Sequence, residues 1–161
     1  LTYQQVYDAL LGFLEEISAE KFDHIDSLRP DYRLFLLSNT NPYVLDLAMS
    51  PRFLPSGRTL DSFFDKVYAS CQMGKYKPNE DIFLEMIADS GMKPEETLFI
   101  DDGPANVATA ERLGFHAYCP DNGENCHYST PSRTEIKKGC TANRFAPYSP
   151  LFVSKERLLI S

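Results

Sequence analysis

The chain has 161 residues, 43% hydrophobic and 24% charged, which suffices for one cored domain, falls short of two, and excludes a disordered or collagen-like polymer. Its formal net charge of −7 argues against an extended footprint of Lys and Arg on nucleic-acid phosphates. No apolar run approaches the ~20 residues that span a bilayer, and the first residues lack a basic stretch followed by an apolar block, so no membrane or nucleic-acid partner is expected.

In chain order, residues 2–20 place Val6, Leu10, Phe13, Leu14 and Ile17 on one helical stripe, with Thr2 and Gln5 at capping-box spacing. A second helix over residues 21–28 presents Phe22, Ile25 and Leu28 and stops by Arg29, where the following Pro30 disfavours helical geometry. Residues 33–38 are an apolar block whose two-faced hydrophobicity suits a buried parallel strand. Asn41 and Pro42 then supply an N-cap and a first-turn proline for a helix over residues 42–49. A loop rich in Pro, Arg and Gly leads through a short element at residues 60–64 to a weaker strand at residues 66–70.

Ile82, Phe83, Met86 and Ile87 have helical spacing, and Gly91 stands in the usual terminating position. Residues 97–100 form another apolar strand, stopped by Asp101-Asp102-Gly103-Pro104. A helix over residues 105–113 closes at Gly114, and residues 115–119 are a last strand. This alternation predicts an α/β fold, a Rossmann-like parallel sheet in a three-layer arrangement.

Beyond Pro120 both periodicities fail, and the charge balance reverses near Asn125. Residues 1–124 hold 10 Lys and Arg against 21 Asp and Glu, whereas residues 125–161 hold 6 against 2. Residues 125–161 therefore read as an irregular tail foreign to the domain, as a shifted reading frame would make it. Cys71, Cys119, Cys126 and Cys140 show no zinc-ligand spacing and read as reduced thiols of a cytoplasmic protein, outside the chemistry.

In open parallel sheets, ligands bind beyond the carboxyl ends of the strands. There the sequence places Ser38 after the first strand, Asp101 and Asp102 after the third, and Lys77 before the helix that joins the second strand to the third. The Ser38 hydroxyl and the amides of Asn39 can donate to phosphate oxygens. Lys77 can offset the charge of a phosphate and of an attacking carboxylate. Adjacent carboxylates repel unless a cation sits beside them, and Mg²⁺ suits oxygen ligands that include water and phosphate. The same acids could instead cap the helix that begins near Pro104. Asn106 reads as a surface helix residue.

The joint order of these residues, in LLSNTN, KYKPNEDIF and LFIDDGPANVATAERLGF, resembles the second, third and fourth motifs of the haloacid dehalogenase-like (HAD) hydrolase superfamily over residues 1–119. The nearest resemblance is to the branch that contains α-glucose-1-phosphate phosphatase and the phosphatase domain of soluble epoxide hydrolase. It implies that Ser38, Asn39 and Lys77 bind phosphate, with Ser38 and Lys77 in the catalytic machinery, and that Asp102 ligates Mg²⁺ with Asp101 in support. It also implies a phosphatase acting through an aspartyl-phosphate on a small phosphorylated metabolite such as a sugar phosphate.

By the same resemblance residues 1–20 are the remnant of a helical cap and residues 21–124 the hydrolase core. The family's first motif, Asp-x-Asp at the end of a central first strand, has no counterpart. The expectation is therefore a core lacking its first, central strand, truncated at its N-terminus and inactive alone. The competing reading is a non-catalytic scaffold that binds anions or a protein partner. A phosphoacceptor receiver domain is disfavoured because the paired acids follow the Lys, and a nicotinamide-binding domain because no GxGxxG occurs.

Overall fold

The structure, a computed structural model, describes residues 2–11, 19–120 and 157–160. Helix α1 spans Tyr3–Leu11 and opens on the anticipated capping box: the Thr2 N–H donates to Gln5 Oε1 at 2.8 Å and the Gln5 N–H to Thr2 Oγ1 at 3.3 Å. The single helix expected over residues 2–20 is described over its first half as α1. Residues 12–18 lie outside the described residues, and Ala19 and Glu20, both strong helix formers, begin α2 at Ala19–Leu28.

Strand β1 covers Leu34–Ser38 and is followed by α3 at Pro42–Ala48, where Asn41 Oδ1 accepts from the N–H groups of Tyr43 and Val44, each at 3.0 Å. The element expected at residues 60–64 is a 3₁₀ turn over Leu60–Phe63. Strand β2 is Lys66–Ala69; Ser70, read as its last residue, instead begins the short α4 at Ser70–Met73. Helix α5 spans Glu80–Ser90 and ends where expected, at Gly91 with φ +63°. Strand β3 is Thr97–Ile100, α6 is Pro104–Arg112 and β4 is His116–Tyr118.

Most of the expected irregular tail over residues 125–161 cannot be compared with the structure. Residues 121–156 lie outside the described residues, but Arg157–Ile160 form a strand, β5, in the middle of the sheet. The order is β2-β1-β5-β3-β4 with every neighbouring pair parallel. Leu158 stands beside Leu34 on one side and Leu98 on the other, and Ile160 beside Leu36 and Ile100. The position expected to be empty is therefore filled by the strand that comes last in sequence. The physical reason is backbone hydrogen bonding: β1 and β3 are buried, and an open slot between them would leave their inner N–H and C=O groups unpaired.

The four residues of β3 and the first four of β1 are buried, so their apolar side chains are covered on both sides of the sheet. Phe83 of α5 stacks near Phe99 of β3 at 5.2 Å between ring centroids, and Phe99 near Phe115 at 6.1 Å. Phe22 of α2 meets Phe63 at 4.5 Å, and the guanidinium of Arg58 lies 3.7 Å over the Phe63 ring while pairing with Asp26. These contacts fasten α2 and the loop before β2 to one core. Among the described residues no helix is long and apolar enough to cross a membrane. Replacing the fully buried Phe83 by Ala should cost about 3–5 kcal/mol in urea unfolding, whereas Leu84→Ala, at a half-exposed neighbour, should change stability by less than ~0.5 kcal/mol.

Candidate active site

Four elements converge at the carboxyl edge of the sheet. Lys77 lies in the loop between α4 and α5, and although a lysine before proline is ordinarily solvated, this side chain is buried, with 6% of the residue exposed. Its Nζ donates to the Leu37 carbonyl and to Asp101 Oδ2, each at 2.9 Å. Leu37 is the penultimate residue of β1 and Asp101 the first residue after β3, so one ammonium joins the two walls that flank β5. Burial lowers the proton affinity of the Lys77 amine, and the charges of Asp101 and, less strongly, Asp102 oppose that shift.

The loop that carries Lys77 is held from two sides. Asn39 Oδ1 accepts from the Lys77 backbone N–H, and Asn39 Nδ2 donates to the Lys77 carbonyl, both at 2.9 Å. Thr109 Oγ1 of α6 stands 3.0 Å from the Pro78 carbonyl and 3.1 Å from that of Ala105, with one hydroxyl hydrogen between them. A second clasp joins the ends of β1 and β2: Ser70 Oγ accepts from the Thr40 N–H at 3.0 Å and donates to the Thr40 carbonyl at 3.1 Å.

Asp101 is 1% exposed and its carboxylate is saturated on both sides. Beyond Lys77, its Oδ1 accepts from the Gly103 N–H at 2.7 Å and from Asn106 Nδ2 at 2.9 Å. Gly103 is required by space: a Cβ there would lie 2.7 Å from Asn106 Nδ2 and 3.0 Å from Asp101 Oδ1. Asp102, by contrast, is exposed and directs no described hydrogen bond at Lys77.

The expected residues are therefore brought together unequally. Lys77 and Asp101 form a buried ion pair, Asn39 acts on the Lys77 backbone with its side chain, and Ser38 follows the Leu37 carbonyl that binds Lys77. The half-buried Ser38 hydroxyl makes no hydrogen bond with the described residues, which leaves it available to an incoming acceptor. Three contributors escaped the sequence reading: Asn106, taken for a surface residue, the Gly103 amide, and Thr109. A β-branched hydroxyl residue inside a helix was the available signal for Thr109. For Asn106 the signal was weaker, an amide in the first helical turn after two acids.

The exposed Asp102 carboxylate suits Mg²⁺, which is commonly held by one or two carboxylates together with phosphate and water, whereas both Asp101 oxygens already accept hydrogen bonds and could support an ion only through water. Among the described residues no three His, Cys, Asp or Glu side chains gather, so an ion here would complete its shell from phosphate and water. Cys71 and Cys119 are free thiols, and Cys119 Sγ, 3.8 Å from the Asp102 carbonyl, takes no part in the pair.

A parallel sheet with Ser, Lys and paired acids gathered at its carboxyl edge is an α/β framework whose ligands bind beyond the strand ends. The model of the haloacid dehalogenase-like hydrolases matches residues 5–114, and the chain belongs to that family. It is 46% identical over 123 residues to a D-ribitol-5-phosphate phosphatase of Bacteroides thetaiotaomicron, covering 76% of this chain and 60% of that protein. A solved structure, described as a predicted HAD-like family hydrolase from Porphyromonas gingivalis, is 90% identical, with a TM-score of 0.77 over 86% of this chain and 66% of its own. A HAD family enzyme of B. thetaiotaomicron, solved with magnesium and inorganic phosphate, is 32% identical, with a TM-score of 0.74 over 81% of this chain and 66% of its own. The chain thus spans three fifths to two thirds of the length of these relatives.

Asp101→Asn removes the countercharge from a buried ammonium and should cost about 3–5 kcal/mol in denaturant unfolding. Gly103→Ala should also destabilise, because the new methyl displaces the Asn106 amide from Asp101; Asn106→Ala combined with it should add less than the sum of the two changes.

Proposed function

We propose that this chain carries the larger part of a phosphoric monoester hydrolase that acts on a small phosphorylated metabolite, a phosphorylated sugar or polyol being the favoured class. The observation that supports this most strongly is the buried Lys77 ammonium, held between Leu37 and Asp101 and next to Ser38. A cation buried at such cost is placed where anionic charge must be offset. The D-ribitol-5-phosphate phosphatase similarity supports the polyol phosphate class.

In this reading the Ser38 hydroxyl and the Asn39 backbone N–H orient the phosphate oxygens. Lys77 offsets the charge of the phosphate and of the carboxylate that attacks it. Asp101, fixed by three donors, keeps Lys77 protonated and aimed. Asp102 would hold Mg²⁺ with Asp101 in support, and the ion when bound supplies Lewis-acid polarisation of a phosphoryl oxygen. In a complete enzyme one carboxylate of the Asp-x-Asp at the end of the central strand would attack phosphorus, the P–O bond to the alcohol would break, and the other Asp, as a carboxylic acid, would give its proton to the departing alkoxide. Water then cleaves the resulting aspartyl-phosphate and releases inorganic phosphate, so one difficult displacement becomes two easier ones.

One observation favours a second state for the 161-residue chain itself. Its described central strand, Arg157–Ile160, carries no carboxylate of its own, and the nearest one, Asp101 just beyond Ile100, is engaged by Lys77, Gly103 and Asn106. In this form the site is a scaffold that binds an anion without turning it over.

With Mg²⁺, the 161-residue chain is expected to bind inorganic phosphate in a calorimetric titration yet to hydrolyse p-nitrophenyl phosphate no faster than buffer. Turnover that disappears on Lys77→Ala would overturn the second statement. Ser38→Ala should weaken phosphate binding about tenfold, the loss of one hydrogen bond to a charged group. A chain extended at its N-terminus by a strand ending in Asp-x-Asp should hydrolyse D-ribitol 5-phosphate. Inactivity of that folded chain toward a panel of sugar and polyol phosphates would count against the hydrolase reading.

A further inference from the structure

Helix α6 carries two polar side chains three residues apart on one face, and each touches a different half of the Lys77–Asp101 pair. Asn106 Nδ2 donates to Asp101 Oδ1 at 2.9 Å. Thr109, buried at 2% exposure, meets the main chain that carries Lys77, with its Oγ1 3.0 Å from the Pro78 carbonyl. Together with the 2.9 Å contact between Lys77 Nζ and Asp101 Oδ2, these bonds close a ring that leaves α6 through the lysine loop and returns to it through the acid. The ammonium that braces β1 against β3 is thus rooted on the same helix that steadies its carboxylate.

The Thr109 hydroxyl has one hydrogen and two carbonyls within reach. That of Ala105, 3.1 Å away, lies one turn back in α6, where the helical ladder supplies an N–H. The Pro78 carbonyl precedes Asn79, the N-cap of α5, and stands outside that helix's ladder. Proline has no N–H, so this carbonyl is the one main-chain group by which Pro78 can be held. The third neighbour is Arg112, whose Nη2 lies 3.0 Å from Thr109 Oγ1. A guanidinium only donates, so it takes a lone pair of the hydroxyl and leaves the hydrogen for a carbonyl. Arg112 is held in turn by Glu80 Oε1 in the first turn of α5, 3.3 Å from Nε and 3.2 Å from Nη2. A hydroxyl that accepts from a cation donates more strongly.

We infer that Thr109 is a positioning residue for Lys77: its hydroxyl, oriented by Arg112, fixes the Lys77–Pro78 main chain so that the ammonium stays aligned on Leu37 and Asp101. Asn39 grips the Lys77 N–H and carbonyl from the end of β1, and Thr109 grips the next carbonyl from α6. Valine would fill the same volume without burying a hydroxyl, so shape alone does not account for threonine here. The consequence for a ligand rests on the phosphate reading given above: an ammonium held in place offers its charge to an incoming phosphate, and one free to swing offers less.

The test compares variants of the full chain. Thr109→Val keeps the shape and removes the hydroxyl, Thr109→Ser keeps the hydroxyl, and Arg112→Met removes an exposed guanidinium. Phe63→Leu destabilises the core just before β2, at the amino end of the sheet, and serves as the control for stability alone. The first readout is hydrogen exchange of the Lys77 ammonium by nitrogen-detected NMR, where burial sets it apart from solvated lysines. Exchange should quicken about tenfold in Thr109→Val, the loss of one hydrogen bond, and recover to within ~2-fold in Thr109→Ser. Arg112→Met should quicken it about threefold, and Phe63→Leu should leave it unchanged. No change in Thr109→Val, no recovery in Thr109→Ser, no change in Arg112→Met, or an equal change in Phe63→Leu overturns the inference. If Thr109→Val does not fold, Arg112→Met decides by the same criterion.

The second readout is the affinity for inorganic phosphate with Mg²⁺ by calorimetry, which should fall about tenfold in Thr109→Val and recover in Thr109→Ser. Unaltered affinity in Thr109→Val overturns the inference. If the unsubstituted chain binds no phosphate, the hydrolase reading fails, and ammonium exchange alone still decides whether Thr109 positions Lys77.

Discussion

Lys77 places one ammonium against the Leu37 carbonyl and the Asp101 carboxylate, atoms that belong to opposite sides of the central slot. A charge in that position is costly to desolvate, and its burial is tolerable because both partners are aligned at hydrogen-bonding distance. Several other features follow from keeping it there. Asn39 grips the Lys77 backbone in both directions, Thr109 reaches the next carbonyl, and Gly103 and Asn106 fill the remaining acceptor sites of Asp101. The absence of a side chain at Gly103 belongs to the same arrangement, since a methyl group there would occupy the space of the Asn106 amide.

The brace also explains how one edge serves both folding and chemistry. The groups that fix the spacing of β1 and β3 are the ones that gather cation, carboxylates and hydroxyl at the carboxyl ends of the strands. In the proposed function a ligand arriving there would meet side chains already oriented by their neighbours, so little ordering would remain to be done on binding. The exposed Asp102 and the available Ser38 hydroxyl are the parts of the edge left facing outward, beside a pair that is fully enclosed. That division separates side chains fixed by their neighbours from those left open to solvent.

Much of this was legible along the chain. The capping box at Thr2 and Gln5, the Asn41-Pro42 helix start, the Gly91 terminator and the apolar strands at residues 34–37 and 97–100 are local signals, and each appears in the structure close to where it was read. The resemblance to the HAD hydrolases matched the family because its motifs are short, contiguous and in a fixed order. Thr109 was barely legible, because the Pro78 carbonyl it reaches lies 31 residues away, and Asn106 only faintly, as an amide in the first helical turn after the paired acids. The branch of the family suggested by the motifs is a finer distinction than the comparisons draw.

Residues 157–160 mark the boundary between the two kinds of information. Their apolar character is visible in the sequence, but a four-residue run has no helical or alternating period long enough to assign, and its pairing depends on strands more than fifty residues away. The sequence by itself determined the element types, the family and the identity of the charged and hydroxyl groups, since helix caps, apolar runs and motifs act over a few consecutive residues. Only the tertiary structure decided which strand occupies the centre, that Lys77 is buried, and which neighbours saturate Asp101. Those outcomes depend on satisfying buried backbone and charged groups among residues distant in sequence.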